Sequence, residues 1–353
     1  MKNQPRILIA PLDWGLGHTT RVIPIIRSVI ESGATPVIAG NIAQLEFLNS
    51  YFPDFEYHLV EGYDVVYGKN VARDIAIQLN SILKSIKRER KWLDVNISNF
   101  NVQAIISDNR YGMRHSSVPS VLITHQIHVA GPKLANGILE MLSKKHLAAF
   151  DHIWVPDYTG NSALAGKLSN SDDERVSYLG PLSRFEGEPQ TPTPETDVKL
   201  FGIVSGPEDQ RTFFENDLIE LFKRDGRKAI IARGRKDLSK KTDGNVQLIP
   251  HVKDELFRSL VAGAEVVICR SGYSTIMDLA HLERKAIVVA TPGQGEQEYI
   301  AQRLEGKHGF RRVAQGDLKD INLSDAAHLP LWRIMERENT PSIPKLIQDL
   351  TRK

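Results

Sequence analysis

Short apolar runs separated by polar turns recur along the chain, and their spacing predicts its elements. Residues 6–11, 36–39, 104–107, 120–124 and 152–155 are apolar stretches of strand length. After the first of them Val22, Ile25, Ile26, Val29 and Ile30 follow at helical spacing up to Gly33, a helix stop. Pro24 is the weak point of that helix, because proline lacks an N–H and crowds the preceding turn. Strands alternating with helical segments predict a parallel α/β sheet. Residues 186–197 break the alternation with three prolines and no apolar period, which reads as a linker. Beyond them it restarts, with strand 199–204, helix 209–224, strands 227–232 and 245–249, and strand-to-helix units beginning at 265 and 286. The expected organisation is a first Rossmann-like, doubly wound domain at 1–185, the linker, a second such domain at 198–330, and a helical segment at 331–353. Ligands of such sheets bind beyond the carboxyl ends of the strands, so the expected site is a cleft between the two domains.

Residues 270–278, Arg-Ser-Gly-Tyr-Ser-Thr-Ile-Met-Asp, follow a buried-strand pattern and open a helical one. Gly272 lets a ligand approach the backbone, Ser271, Ser274 and Thr275 bring hydroxyls, and the helix start brings unsatisfied N–H donors and a positive dipole end. This is phosphate-binding chemistry, and Asp278 one turn inside is suited to accept hydrogen bonds from a ribose. An ordinary capped helix fits the same residues. Residues 291–299 repeat the arrangement after the next strand. Two such turns on one sheet edge predict a nucleotide-sugar site.

The first strand ends in Asp13-Trp14-Gly15-Leu16-Gly17-His18-Thr19-Thr20-Arg21. Thr20 replaces the third glycine of a dinucleotide fingerprint. Gly15 and Gly17 allow a tight turn from which His18 projects at a helix start, where the positive helix end keeps an imidazole neutral and able to act as a base. A structural histidine is the alternative. Asp108, after the strand at 104–107, either orients His18, holds an acceptor hydroxyl, or serves as turn chemistry. Asp13, Arg110, His125 and His128 are candidates for the acceptor side, and two histidines without a third ligand make no metal site. No Asp-X-Asp occurs in the chain, so neither a metal nor another cofactor is expected. Gly206 and Arg211, in the turn after strand 199–204, offer a second diphosphate contact or a plain capped turn.

Composition narrows the partners. A net charge of +2 is too small to argue for nucleic acid. No apolar run has the length of a membrane span, and residues 1–5 lead into a strand rather than a secretory signal, which predicts a cytoplasmic protein. The single cysteine, Cys269, falls within an apolar strand and reads as a core thiol. Residues 79–93 combine helical apolar spacing with Lys84, Lys87, Arg88, Arg90 and Lys91. Such a helix either lies peripherally on an anionic membrane or packs on its domain with the charges in water.

Together these motifs resemble the inverting GT-B glycosyltransferases, especially the group that contains the lipid II-forming N-acetylglucosaminyltransferase and the plant galactolipid synthases. The resemblance is strongest from 266 to 303, where Arg270-Ser271-Gly272, Asp278 and Gln297-Glu298 match the group's donor motif. It implies that Asp278 takes the place of a ribose-binding glutamate and that Gln297 and Glu298 contact sugar hydroxyls. Glu298 departs from the glutamine of the lipid II enzyme. Gly17-His18 resembles the glycine-rich loop with its base, and Gly180-Pro181-Leu182-Ser183-Arg184 the interdomain turn whose arginine approaches the donor phosphate. Ser205-Gly206-Pro207 stands where the group has a Gly-Gly-Ser loop. Metal independence and a C-terminal helix returning to the first domain are also implied. The expectation is transfer of a sugar from a nucleotide diphosphate, UDP-linked, to a hydroxyl acceptor that is lipid-linked or part of a cell-envelope glycan. Gly17-His18 with Arg21 also resembles a Gly-His-X-X-Arg segment of nucleotide-sugar hydrolases, which leaves water as an alternative acceptor. A nucleotide-sugar epimerase and a non-catalytic binder complete the alternatives.

Overall fold

The structure is a computed structural model that describes residues 4–63, 71–129, 136–187, 197–235, 239–324 and 340–352. Most of the linker expected at 186–197, and the segment 331–339, lie outside them. The chain divides into two units, one of Met1–Val129, Lys133–Arg184 and Arg337–Lys353, the other of Ala130–Pro132 and Phe185–Glu336.

In the first unit the chain runs β1 (Arg6–Pro11), α1 (Leu16–Arg21), α2 (Ile23–Glu31), β2 (Thr35–Gly40), α3 (Ile42–Asn49), β3 (Glu56–Leu59), α4 (Val71–Phe100), β4 (Ala104–Asp108), β5 (Ser120–Ile123), α5 (Asn136–Leu147), β6 (His152–Val155) and β7 (Val176–Tyr178). The strands form a parallel sheet in the order β3-β2-β1-β4-β5-β6-β7. Its central strands are buried almost throughout, as helices on both faces require, which explains their unbroken apolar runs. The order reverses between β1 and β4. Their carboxyl ends, at Pro11 and Asp108, are register partners, so the loops that follow open side by side.

The helix expected between Val22 and Gly33 is present as α2, and a short separate helix, α1, precedes it. α1 closes at Arg21 and α2 begins at Ile23, which leaves the proline in the first turn of α2, where its missing N–H has no role in the ladder. On α4, Ile86 and Leu93 are buried while Lys84, Lys87, Arg88 and Lys91 stay exposed. The apolar stripe of the basic segment therefore packs onto its own unit, as the second of the two readings expected.

The second unit runs β8 (Leu200–Ile203), α6 (Gln210–Asp225), β9 (Ala229–Ala232), β10 (Lys241–Asp243), β11 (Val246–Ile249), α7 (Asp254–Gly263), β12 (Val266–Arg270), α8 (Tyr273–His281), β13 (Ala286–Val289), α9 (Gly295–Leu304) and β14 (Phe310–Arg312). Its sheet order is β10-β11-β9-β8-β12-β13-β14, parallel except for β10 at the edge. Phe214, Leu218, Leu221 and Phe222 of α6 fill one side of its core against Leu200, Ile231 and Ile268. The switch in strand order lies between β8 and β12, so the loops at Ser205–Gly206 and Ser271–Gly272 emerge next to each other. A last helix, α10 (Ile343–Thr351), belongs to the first unit and packs on α2 through a stripe that includes Ile343, Ile347 and Leu350.

Candidate functional site

At the switch point of the first unit the structure joins His18 and Asp108, 90 residues apart in sequence. Leu12 N–H donates to the Asp108 carbonyl and continues the β1 pairing into the loop. Gly15, at φ 83, caps α1, a backbone angle that a side chain rarely adopts. The turn delivers His18 on α1 with Nδ1 3.0 Å from Asp108 Oδ2. His18 retains 17% side-chain exposure whereas the Asp108 carboxylate is sealed. Nε2 makes no hydrogen bond among the described residues.

Arg21, one turn further along α1, reaches the same carboxylate. Its Nε donates to Asp108 Oδ2 at 3.1 Å and its Nη2 to Oδ1. Nη2 also lies 2.6 Å from His18 Nδ1, and Nη1 lies 3.4 Å from Nδ1 of the buried His125. Burial raises the Asp108 pKa, but the Arg21 guanidinium and then His18 outweigh it, and the carboxyl is held below its usual range. His18 is also shifted downward, first by burial and then by Arg21, against the pull of Asp108, which favours the neutral ring. Arg21 entered the sequence reading only through the hydrolase-like motif. Nothing in its sequence context signals a buried guanidinium.

Asp13 and Arg110 belong to a second cluster beside this one. The Asp13 carboxylate accepts the Tyr63 N–H at 3.1 and 3.2 Å. Arg110 is fully buried, with Nη2 3.7 Å from Asp13 and Nη1 3.3 Å from Glu89. Glu89 takes hydrogen bonds from the Tyr63 hydroxyl at 2.8 Å and the Gly112 N–H at 3.0 Å. Burial pushes its carboxyl up to about 7 in spite of Arg110. Sequence reasoning missed Glu89 because it is the one acidic residue of a run of cations. Trp14, 43% exposed, meets the Tyr63 ring edge to face above the cluster. His128 stands apart from His125, half exposed, 3.7 Å from Glu140 on the rim of a depression of about 480 Å³. Arg184 lies at the end of the first unit, where its carbonyl accepts a hydrogen bond from Arg27.

In the second unit α8 begins at Gly272 without a side-chain cap, and the position a Cβ would take there is open space. Ser274 and Thr275 are partly exposed in its first turn, and Asp278, one turn in, is 6% exposed. Ser271 is turned away, its hydroxyl donating to the Gln297 carbonyl at 2.9 Å. Arg270 is turned inward as well. Its guanidinium lies 4.1 Å over the Phe214 ring and donates to the carbonyls of Gln210 at 2.8 Å and Ala290 at 3.1 Å. The expected direct ligand contact is thus replaced by a tie inside the unit, because the aromatic face and two carbonyls are the nearest complements to a buried cation. Arg211 likewise donates to the Arg233 carbonyl.

Gly206, at φ 103, turns the loop after β8. A Cβ there would face the Thr291 hydroxyl at 3.7 Å, so the β8 and β13 loops approach each other over the end of β12. Thr291 Oγ1 is buried with no hydrogen-bond partner among the described residues. The Gln297 side chain accepts the Thr291 N–H at 2.9 Å, and Glu298 accepts the Gly293 N–H at 3.0 Å. Both side chains therefore shape the 291–294 turn from the start of α9. No group of three or more metal-ligating side chains occurs among the described residues. No described helix is long and apolar enough to cross a membrane.

Residues 230–329 match the glycosyltransferase family 28 C-terminal domain, so the second unit carries that domain. A UDP-N-acetylglucosamine--N-acetylmuramyl-(pentapeptide) pyrophosphoryl-undecaprenol N-acetylglucosamine transferase of Bifidobacterium adolescentis is 38% identical over 77 residues, 22% of this chain and 19% of that protein. The match thus spans about a fifth of that relative's length. The glycotransferase of kitacinnamycin superposes with a TM-score of 0.64 at 15% identity, covering 100% of this chain and 95% of the other. Spinosyn rhamnosyltransferase SpnG complexed with thymidine diphosphate gives 0.60 at 14% identity, covering 98% and 95%. The fold is that of the GT-B glycosyltransferases, with two Rossmann-like domains.

Proposed function

We propose that this protein is an inverting, metal-independent glycosyltransferase that moves a sugar from a UDP-linked donor to a hydroxyl acceptor. The observation that carries the reading is the His18–Asp108 pair at the first switch point. The family 28 domain at 230–329 and the uncapped start of α8 support donor binding by the second unit. On this reading Asp108 accepts a hydrogen bond from Nδ1–H of His18 and stays ionised, and Nε2 takes the proton of the acceptor hydroxyl. The freed oxygen attacks the anomeric carbon on the face opposite the diphosphate. The C–O bond to the diphosphate breaks, and the leaving group departs with the bonding pair and inverts the centre. Gly206, Gly272, Ser274, Thr275 and the first N–H groups of α8 stabilise the negative charge, joined by Gly17 and Arg184. Asp278 holds the ribose, and Gln297 and Glu298 bound the sugar pocket.

The relative's name includes a pyrophosphoryl-undecaprenol acceptor, which supports a lipid-linked acceptor on the first unit here. Asp13, Arg110, His125 and His128 are the side chains proposed to shape that side, the buried Arg110 and His125 from beneath. Lys84, Lys87, Arg88 and Lys91 present charge without an accompanying apolar stripe. A peripheral contact with an anionic membrane through them is electrostatic and weakens with salt.

Water in place of the acceptor is the second reading, favoured by the contact of Arg21 with His18 within the hydrolase-like motif. The two separate on the fate of the sugar. Slow UDP release from donor alone, accelerated when a cell extract supplies acceptor and with the sugar recovered on an extract component, is the expected result. Rapid release of free sugar without acceptor would replace the transferase by the hydrolase. His18→Ala is expected to keep UDP affinity within about threefold and to lower turnover by roughly 10²–10⁴-fold. Unchanged turnover would remove His18 from the mechanism.

A further inference from the structure

Arg21 is 2% exposed and makes every recorded polar contact with other members of the cluster. On the general-base reading of His18, we infer that Arg21 is the positioning residue of this site. Its fork fixes the Asp108 carboxylate so that one oxygen faces His18 Nδ1, and its charge keeps a second proton off the ring.

Nδ1 has a single in-plane direction for a hydrogen bond, yet it meets Asp108 Oδ2 at 3.0 Å and Arg21 Nη2 at 2.6 Å. Both contacts are not hydrogen bonds at once. A carboxylate that accepts two N–H groups from one guanidinium keeps lone pairs for a third donor, so a charge-assisted bond from Nδ1–H to Asp108 satisfies the ring while the guanidinium keeps the carboxylate as its partner. Nη2 carries two N–H groups, one of which goes to Asp108 Oδ1, and the other finds no lone pair on the ring when Nδ1 keeps its proton for Asp108. The arrangement therefore leaves the lone pair on Nε2, the atom that a base must present. Its cost is a cation beside Nδ1–H, and that cation opposes imidazolium. The groups facing the ring are Arg21, Asp108 and His125, of which only Asp108 favours protonation. A merely structural arginine would tie segments together without setting the charge state of the ring.

The test is nitrogen NMR of the histidine-labelled protein, with the His18 signals identified by their loss in His18→Ala. In the wild type His18 is expected to carry its proton on Nδ1 and to titrate below the ordinary histidine value. Arg21→Gln is expected to raise that midpoint by about one unit or more, and the acidic limb of UDP release with it. Arg21→Lys keeps the charge but not the fork. It should hold the midpoint low and still lose about tenfold or more in turnover through misorientation. A wild-type ring protonated on Nε2, a midpoint that Arg21→Gln leaves in place, or a fully active Arg21→Lys enzyme would each overturn the inference. Should Arg21→Gln fail to fold, the wild-type tautomer and the lysine variant still decide. The NMR readout does not require turnover. If His18→Ala remains active while Arg21→Gln shifts the midpoint, the base assignment fails and the inferred effect of Arg21 on the ring stands.

Discussion

Replacing Arg270 by methionine distinguishes a ligand-binding arginine from an internal tie. The side chain is 1% exposed and holds Gln210 at the start of α6 and Ala290 at the end of β13 to the tip of β12, with its guanidinium on the Phe214 ring. Hydrogen bonds to a charged group contribute roughly 1.5–3 kcal/mol each, and a desolvated cation over an aromatic ring about 2 kcal/mol. Against these stands the penalty of burying the charge, which depresses the Arg270 pKa to about 10. Methionine removes that penalty and restores a sulfur–aromatic contact of up to about 1 kcal/mol. The net expectation is a loss of about 2–3 kcal/mol in the second unit, read as a lower unfolding temperature and relieved by saturating UDP. Calorimetry of the folded variant should give a UDP affinity within about twofold of wild type. A variant of wild-type stability with UDP affinity reduced tenfold or more would refute the tie and restore Arg270 to the ligand.

Three further outcomes follow from the same geometry. Gly62→Ala places a methyl on Asp13 Oδ2; because the carboxylate end can move, we expect about 1 kcal/mol of destabilisation but a tenfold or larger loss of turnover as the 13–17 loop shifts, and wild-type turnover would detach that loop from function. Asp278→Ala should weaken UDP binding by roughly 1–3 kcal/mol, with unaltered affinity by calorimetry rejecting the ribose assignment. Glu89 has a folded-state pKa raised from 4.5 to about 7, so its contribution to stability is complete below 4.5 and is lost as pH rises through 7. Glu89→Gln should therefore gain stability relative to wild type between about pH 5 and pH 8, and a melting-temperature difference independent of pH would show that Glu89 is ionised throughout.

The buried strands were legible because both of their faces are covered, so β1, β4, β12 and β13 read as apolar runs whatever their neighbours. β3, β7, β10 and β14 were not, since they are short strands toward the sheet edges. Glu56-Tyr57-His58-Leu59 and Lys241-Thr242-Asp243 carry polar residues because water reaches them. Pro24 was read as a weak point, whereas it sits in the first turn of α2, where proline is tolerated, and α1 was not legible as a separate helix. At the site, glycines and hydroxyls after strands marked the loops that the sheets bring together. The direction of long side chains was not legible. Arg270 and Arg21 stand in turn-like sequence, yet each is drawn inward by partners that are distant in the chain, Phe214 and Ala290 for one and Asp108 for the other.

The return of α10 to α2 also has a meaning for biosynthesis. The first unit takes most of its chain from the early part of the message, but a strip of its apolar surface is covered by Ile343, Ile347 and Leu350, which leave the ribosome only after the entire second unit. A nascent first unit must therefore wait with that strip bare while another sheet is being assembled behind it. α10 acts as a seal that closes only after the second unit has been made. Messages truncated anywhere in the second half would release a first unit with an adhesive face, the kind of surface that chaperones and proteases recognise.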